Sequence, residues 1–263
     1  MDYLNTIALG VIEGITEFLP VSSTGHLIIA ENWLGQRSEM FNIVIQAGAI
    51  LAVTLIYWRR ILSLLFGWRD RDNRDYLMKL IAAFLITAVL GLIAKKLNFE
   101  LPTSVTPVAW ALVIGGFWMM GAERIAARRP PSSTVTWRVA VVVGLAQIVA
   151  GIFPGTSRSA ATIFAAMLAG TNNRVAATEF AFLLGIPTMY AASGYEVLKQ
   201  INDAGASADW GALAIAFAVS LITAFVAVKW LLGYIQTHRY TLFAIYRIVL
   251  GVLLLGLSAA GML

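Results

Sequence analysis

Polar positions along this chain are gathered into narrow intervals, and between them run apolar blocks longer than the helices of an ordinary soluble core. Six such blocks fall at Phe41 to Trp58, Tyr76 to Ala94, Val105 to Ala122, Val175 to Leu198, Gly211 to Leu231 and Thr241 to Met262. At about 20 residues and roughly 1.5 Å of rise per residue, each is predicted to be a helix that crosses the hydrocarbon layer of a bilayer. Two further apolar stretches are interrupted halfway. Leu4 to Leu34 is broken at Pro20-Val21-Ser22-Ser23-Thr24-Gly25, and Trp137 to Gly170 at Pro154-Gly155-Thr156-Ser157-Arg158-Ser159. The half-helices beside each break are too short to span, and irregular backbone at membrane depth needs protein or water to satisfy its amides. Both stretches therefore read as re-entrant helical hairpins lining a polar cavity.

The interrupted stretches align with one another. Pro154 stands 134 residues after Pro20, and the same offset places Gly144 on Gly10, Gln147 on Glu13, Thr156 on Ser22 and Ser157 on Ser23. Each half then holds one hairpin followed by three crossings. Three being odd, the second half lies upside down relative to the first, a plan in which two broken helices meet near the midplane and build a site between them. The expected fold class is an all-α polytopic membrane protein with an inverted-topology repeat, six transmembrane helices plus two re-entrant helical hairpins. Residues 1–263 form a single integral membrane domain, with 1–130 as the first repeat and 131–263 as the second, inverted one.

Composition agrees with a bilayer as solvent. Hydrophobic residues make up 59% of the chain and charged ones 13%, with a mean hydropathy of +0.79, more apolar surface than a soluble domain of this size can hide. A net charge of +5 raises nucleic acid as a partner, yet the cations sit in short loops between apolar blocks, which is the pattern of membrane orientation. Ten arginines, among them Arg59, Arg124, Arg174 and Arg239, gather in one set of loops, against Arg37, Lys95, Lys96 and Lys199 in the other. The richer side is expected to be cytoplasmic, with both termini and the opening of the first hairpin periplasmic or extracellular. The first twenty residues lack a basic leading segment and carry Glu13 and Glu17 inside the apolar stretch, so no cleavable signal peptide is expected. Without cysteine, disulfides and thiolate chemistry are excluded.

The charged residues inside the apolar stretches are the candidates for chemistry. Glu13 and Glu17 stand four apart and share a helix face, where two carboxylates repel each other and lose hydration; a divalent cation, a guanidinium or a shared proton would relieve them. Ser22, Ser23, Thr24 and His26 follow Pro20 directly, and a helix starting there would aim free amides at a phosphate. His26, in this company, reads as a general acid or base, whereas His238 reads as a solvated loop residue beside Arg239. Arg158, flanked by Ser157 and Ser159 with Thr162 one turn on, suits a phosphate clamp or an ion pair with Glu13 or Glu17. Arg247, about two turns into the last span, could also face the site, but its nearness to the cytoplasmic end favours snorkelling. Trp58, Trp118 and Trp230 are expected in the interfacial aromatic belt.

The runs Glu13 to His26 and Pro154 to Thr162 resemble the two signature motifs of the bacterial undecaprenyl pyrophosphate phosphatase family, also called the bacitracin-resistance or BacA family. The resemblance extends over the whole chain in length and span order. It implies hydrolysis of the terminal phosphate of undecaprenyl pyrophosphate, which regenerates the carrier lipid for peptidoglycan and confers bacitracin resistance. It also implies an inner-membrane location, a polyprenyl pyrophosphate substrate among membrane lipids, no nucleic-acid partner, and compatibility with a homodimer. On this sequence Glu13 and Glu17 would be the acidic pair associated with Mg²⁺ or Ca²⁺, Ser23 a nucleophile, His26 an acid or base, and Arg158 the phosphate clamp, with Ser22, Thr24, Ser157, Ser159 and Thr162 around the phosphate. Type 2 phosphatidic acid phosphatases share a Gly-His and a Ser-Arg motif, but the histidine they need six residues after the arginine is Phe164 here. A lipid flippase or secondary transporter is the rival reading, since paired broken helices in inverted repeats are also a transporter plan.

Overall fold

Every apolar block becomes an α-helix, which satisfies its own backbone hydrogen bonds and so can lie in lipid. The structure, a computed structural model, describes residues 3–97, 104–202 and 209–261, and among these there are eleven helices and no strand. In chain order they are α1 Tyr3–Thr16, α2 Ser23–Leu34, α3 Glu39–Ile56, α4 Trp58–Phe66, α5 Arg71–Lys96, α6 Val105–Ala127, α7 Trp137–Ile152, α8 Arg158–Ala169, α9 Arg174–Asn202, α10 Trp210–Thr237 and α11 Thr241–Ala259. Six of them, α3, α5, α6, α9, α10 and α11, are long and apolar enough to cross a membrane. They fall on the six blocks expected from the sequence, except that α3 stops at Ile56 and Trp58 opens α4, and the expected end of the last block at Met262 lies outside the described residues. Their outer faces carry Leu85, Leu92, Ile114, Phe117, Ile222 and Val226, all more than half exposed, a surface that a bilayer would cover.

Both interrupted stretches are broken where proline and hydroxyls interrupt them, between α1 and α2 and between α7 and α8. Each pair doubles back on itself. Asn5, at the start of α1, donates its amide hydrogen to the Leu34 carbonyl at the end of α2, 3.0 Å away. At the other pair, Thr171, just past α8, donates to the carbonyl of Thr134, just before α7, and Arg129 donates to Leu168 O.

The broken helices pack against spans of the opposite half of the chain. α1 lies on α10 so closely that a β-carbon at Gly14 would come within 2.5 Å of Ser220 O. α7 lies on α5, where Gly144 meets Ala83 O in the same way at 2.8 Å. Between them run α3 and α9, and a core centred on Phe18, Tyr57, Phe164 and Phe182 fills the space, with Phe18 edge-on to Phe182 at 5.2 Å between ring centroids.

Arg59 and Arg60 mark a loop in the sequence, yet the chain continues there as α4. Only Tyr57 separates it from α3. Leu64 of α4 is buried, while Leu65 and Phe66 are exposed. At the end of the bundle where α3, α6 and α10 finish, Glu123 is buried and accepts from Arg174 Nε at 2.8 Å, from Tyr240 N and from Thr241 Oγ1. A buried carboxylate needs such a full set of donors.

Candidate functional site

The two breaks meet. Ser159 Oγ donates to Leu19 O at 3.0 Å, which ties the start of α8 to the turn after α1. Proline ends regular hydrogen bonding at each break, and a serine then restarts the helix as its N-cap. Ser22 accepts from Gly25 N at 3.4 Å and Ser157 from Ala160 N at 3.3 Å. Both capping serines have positive φ, 73° and 68°, an uncommon and strained backbone for a residue with a β-carbon. The capping pair is offset by 135 residues, one more than the prolines, so the second break holds one extra residue. Gly155 accommodates it: its φ is +88°, and a β-carbon there would lie 2.8 Å from Val108 O.

Glu13 is buried in α1, and its Oε2 has no hydrogen-bond partner. It stands one turn before Glu17, whose N–H donates to the Glu13 carbonyl, and the Ser159–Leu19 contact brings the turn that carries Glu17 up to the start of α8, where Arg158 sits. Glu17 is half-buried in the turn, where its Oε2 accepts from Ser23 Oγ at 2.5 Å. Arg158 opens α8 with Nη1 buried and unpartnered. Thr24 is half-buried in the first turn of α2.

His26 is held at both nitrogens. Nδ1 lies 2.8 Å from Ser22 O and Nε2 2.6 Å from the Tyr246 hydroxyl, and the two rings stack at an interplanar angle of 7°. A carbonyl can only accept, so Nδ1 carries the hydrogen, and a neutral ring then accepts at Nε2 from Tyr246. The remaining hydroxyls hold backbone. Ser157 exchanges a hydrogen bond with Ser159, and Thr162, 2% exposed, donates to Arg158 O and Ser159 O.

Arg247 does not snorkel. It is fully buried, donating Nη1 to Thr156 O at 2.9 Å and Nη2 to Gly155 O and Ala111 O at 3.0 and 3.1 Å. The irregular backbone of the second break leaves carbonyls without helical donors, and a guanidinium with five N–H groups supplies them. Room for it comes from Gly115, where any β-carbon would collide with the guanidinium. Tyr246 and Arg247 are thus neighbours on α11 serving opposite breaks. Tyr246 was not legible as a site residue; for Arg247 the second alternative from the sequence, that it faces the site, holds and the snorkelling expectation does not. His238 is exposed, as expected.

Fold and site together define a multi-pass helical membrane protein whose polar centre sets paired carboxylates, a hydroxyl and a guanidinium within apolar helices. The chain belongs to the bacitracin resistance protein BacA family, whose profile matches residues 6–253. It is 73% identical to the undecaprenyl-diphosphatase of Rhizobium etli over the full length of both proteins. With the undecaprenyl-diphosphatase of Xanthomonas oryzae pv. oryzae it shares 58% identity over 98% of each chain.

Proposed function

We propose that this protein hydrolyses the terminal phosphate of undecaprenyl pyrophosphate, giving undecaprenyl phosphate and inorganic phosphate and so recycling the lipid carrier of cell-wall polymers. The observation that carries the reading is Arg158: a buried guanidinium nitrogen without a partner, at the start of a helix that Ser159 ties to the break in which a serine hydroxyl already donates to a carboxylate. A planar cation in an apolar surrounding is costly unless an anion completes it, and phosphate matches its fork. The relatives' activity and the family's link to bacitracin resistance point the same way.

In this reading Glu17 takes the proton of Ser23 as Oγ attacks the terminal phosphorus. The bond to the bridging oxygen breaks, and the lipid monophosphate leaves. Water then releases phosphate from the serine. Arg158 neutralises the phosphoryl oxygens. His26, fixed by Ser22 O and Tyr246, exchanges protons beside Ser23. Ser22 and Ser157 act by capping, and the amides at the starts of α2 and α8 face the anion with Thr24 nearby.

The carboxylates of Glu13 and Glu17 suit a hard divalent ion such as Mg²⁺ or Ca²⁺, since every donor is oxygen and Glu13 Oε2 is unpaired. No third His, Cys, Asp or Glu completes such a group among the described residues. Phosphate oxygens of the substrate and water would supply the rest of the shell, as is common for Mg²⁺. When bound, the ion would neutralise charge on the phosphoryl group.

The two doubled-back pairs are proposed to be re-entrant hairpins of an inverted repeat in the bacterial inner membrane. Three spans separate them, and the exchange of contacts, α1 on α10 and α7 on α5, supports the repeat. The arginine-rich loops would be cytoplasmic and the first hairpin would open to the periplasm. Because paired broken helices are also a transporter plan, the deciding experiment measures phosphate release from a polyprenyl pyrophosphate by the purified protein, beside lipid translocation in proteoliposomes. Translocation without release would overturn the enzymatic reading.

A further inference from the structure

A cavity of about 480 Å³ lies between α3, α5, α7, α8 and α9, a size common for small-ligand sites. One part of its lining is polar: Arg158, Gln147 and Ser193. Arg158 Nη1, both amide atoms of Gln147 and Ser193 Oγ are buried there without hydrogen-bond partners, and Gln147 and Ser193 are only 3% and 7% exposed. Buried polar groups are almost always paired, so four unpaired atoms around one cavity mark where a polar ligand group completes them. Most of the remaining lining is apolar, with Phe84, Leu92 and Ile148 prominent.

The cavity reaches the surface of the helix bundle. Its rim includes Gly91 of α5, Gly151 of α7 and Ala191 of α9, all exposed, and a β-carbon at either glycine would meet nothing within 4 Å. These small residues leave a slot between helices whose outer faces are apolar. At the rim the Lys95 ammonium lies 4.0 Å from the ring centroid of Tyr195.

We propose that this cavity is the subsite for the prenyl end of the substrate. Gln147 and Arg158 take the phosphate attached to the lipid, the first isoprene units lie along Phe84 and Leu92, and the rest of the chain passes between Gly91 and Gly151 into the bilayer. Arg158 joins the two sites, since it lines this cavity and the next residue, Ser159, is tied to Leu19 O of the first break. The charge complementarity of phosphate and guanidinium, with an apolar slot leading away, selects an isoprenoid phosphate over a free anion, which would leave the slot without purpose. Gln147 is the residue that the repeat aligns with Glu13, and an amide can contact phosphate without adding negative charge. The inference rests on the hydrolase reading for the identity of the chain, but its test does not depend on turnover.

A polyprenyl phosphate bearing a benzophenone on an early isoprene unit should label purified protein within residues 84–95 or 188–195, and unlabelled polyprenyl pyrophosphate should suppress that labelling at least about tenfold. Labelling elsewhere, or labelling that competitor does not displace, overturns the subsite whether or not the protein hydrolyses anything. Separately, Gly91→Trp and Gly151→Trp should narrow the slot. The ratio of kcat/KM for the polyprenyl substrate over geranyl pyrophosphate should fall at least about tenfold in whichever variant stays monodisperse. An unchanged ratio refutes the proposal. A wild type that releases phosphate from neither substrate refutes the hydrolase reading instead, and the labelling pattern still decides the subsite.

Discussion

Ser23 and Glu17 are joined by a 2.5 Å hydrogen bond from the serine hydroxyl to the carboxylate, although one belongs to α2 and the other to the turn after α1. The bond orients Oγ and prepares a path for its proton to the carboxylate. If the two act as one unit, their losses do not add. Ser23→Ala and Glu17→Gln should each lower kcat by about a thousandfold or more, and the double variant should be no worse than the poorer single one. Retention of most turnover in Ser23→Ala would move the attack to water.

Arg247 gives a prediction about stability. It satisfies three backbone carbonyls at and beside the second break, so Arg247→Met should cost on the order of 2–4 kcal/mol, seen as a lower melting temperature in detergent. Lysine, with one nitrogen, should recover only part of this. A snorkelling arginine would show almost no change in either variant, so unchanged melting would refute the assignment.

Tyr246 should separate a supporting role from a structural one. Tyr246→Phe keeps the ring stacked on His26 but removes the hydroxyl at Nε2. The expected result is a loss of about five- to tenfold in kcat, the scale of one hydrogen bond of about 1 kcal/mol, with melting unaltered. Equal loss in kcat and in stability would make Tyr246 a packing residue.

How far the sequence alone reaches depends on the physical origin of each feature. The six spans and both breaks were legible because block length, proline and clustered hydroxyls act locally, and α3, α5, α6, α9, α10 and α11 fall where the blocks predict. α4 was not, since Arg59 and Arg60 read as loop while Leu64 finds cover only in three dimensions. Arg247 was misjudged because distance along the helix from its end suggested an escape route for the charge. Its burial depends on carbonyls 91 and 136 residues away, and no local pattern announces them. The break register shows the same limit. The proline offset of 134 is visible, but the extra residue at Gly155 that moves the capping serines to 135 emerges only from backbone angles.

The acidic pair can be tested by removing the ion. Glu13→Gln should lower activity at least about a hundredfold while leaving the protein extractable and monodisperse, and chelation by EDTA should inactivate the wild type reversibly, with Mg²⁺ or Ca²⁺ restoring it. Full wild-type activity in EDTA would remove the metal from the reading and leave Arg158 and the helix amides as the only neutralising groups.

Orientation offers a test that uses the absence of native cysteine. Gln36, just past α2, and Gln236, at the end of α10, are both exposed and should lie on opposite faces of the membrane, because five spans, α3, α5, α6, α9 and α10, lie between them and five crossings are odd. In the proposed orientation the arginine-rich face near Gln236 is the cytoplasmic one. Gln36→Cys should therefore react with an impermeant thiol reagent in intact spheroplasts, and Gln236→Cys only after lysis. The reverse pattern would invert the protein and turn the first hairpin's opening inward. Labelling of both in intact cells would break the proposed count of crossings, and with it the proposed inversion of the second half relative to the first.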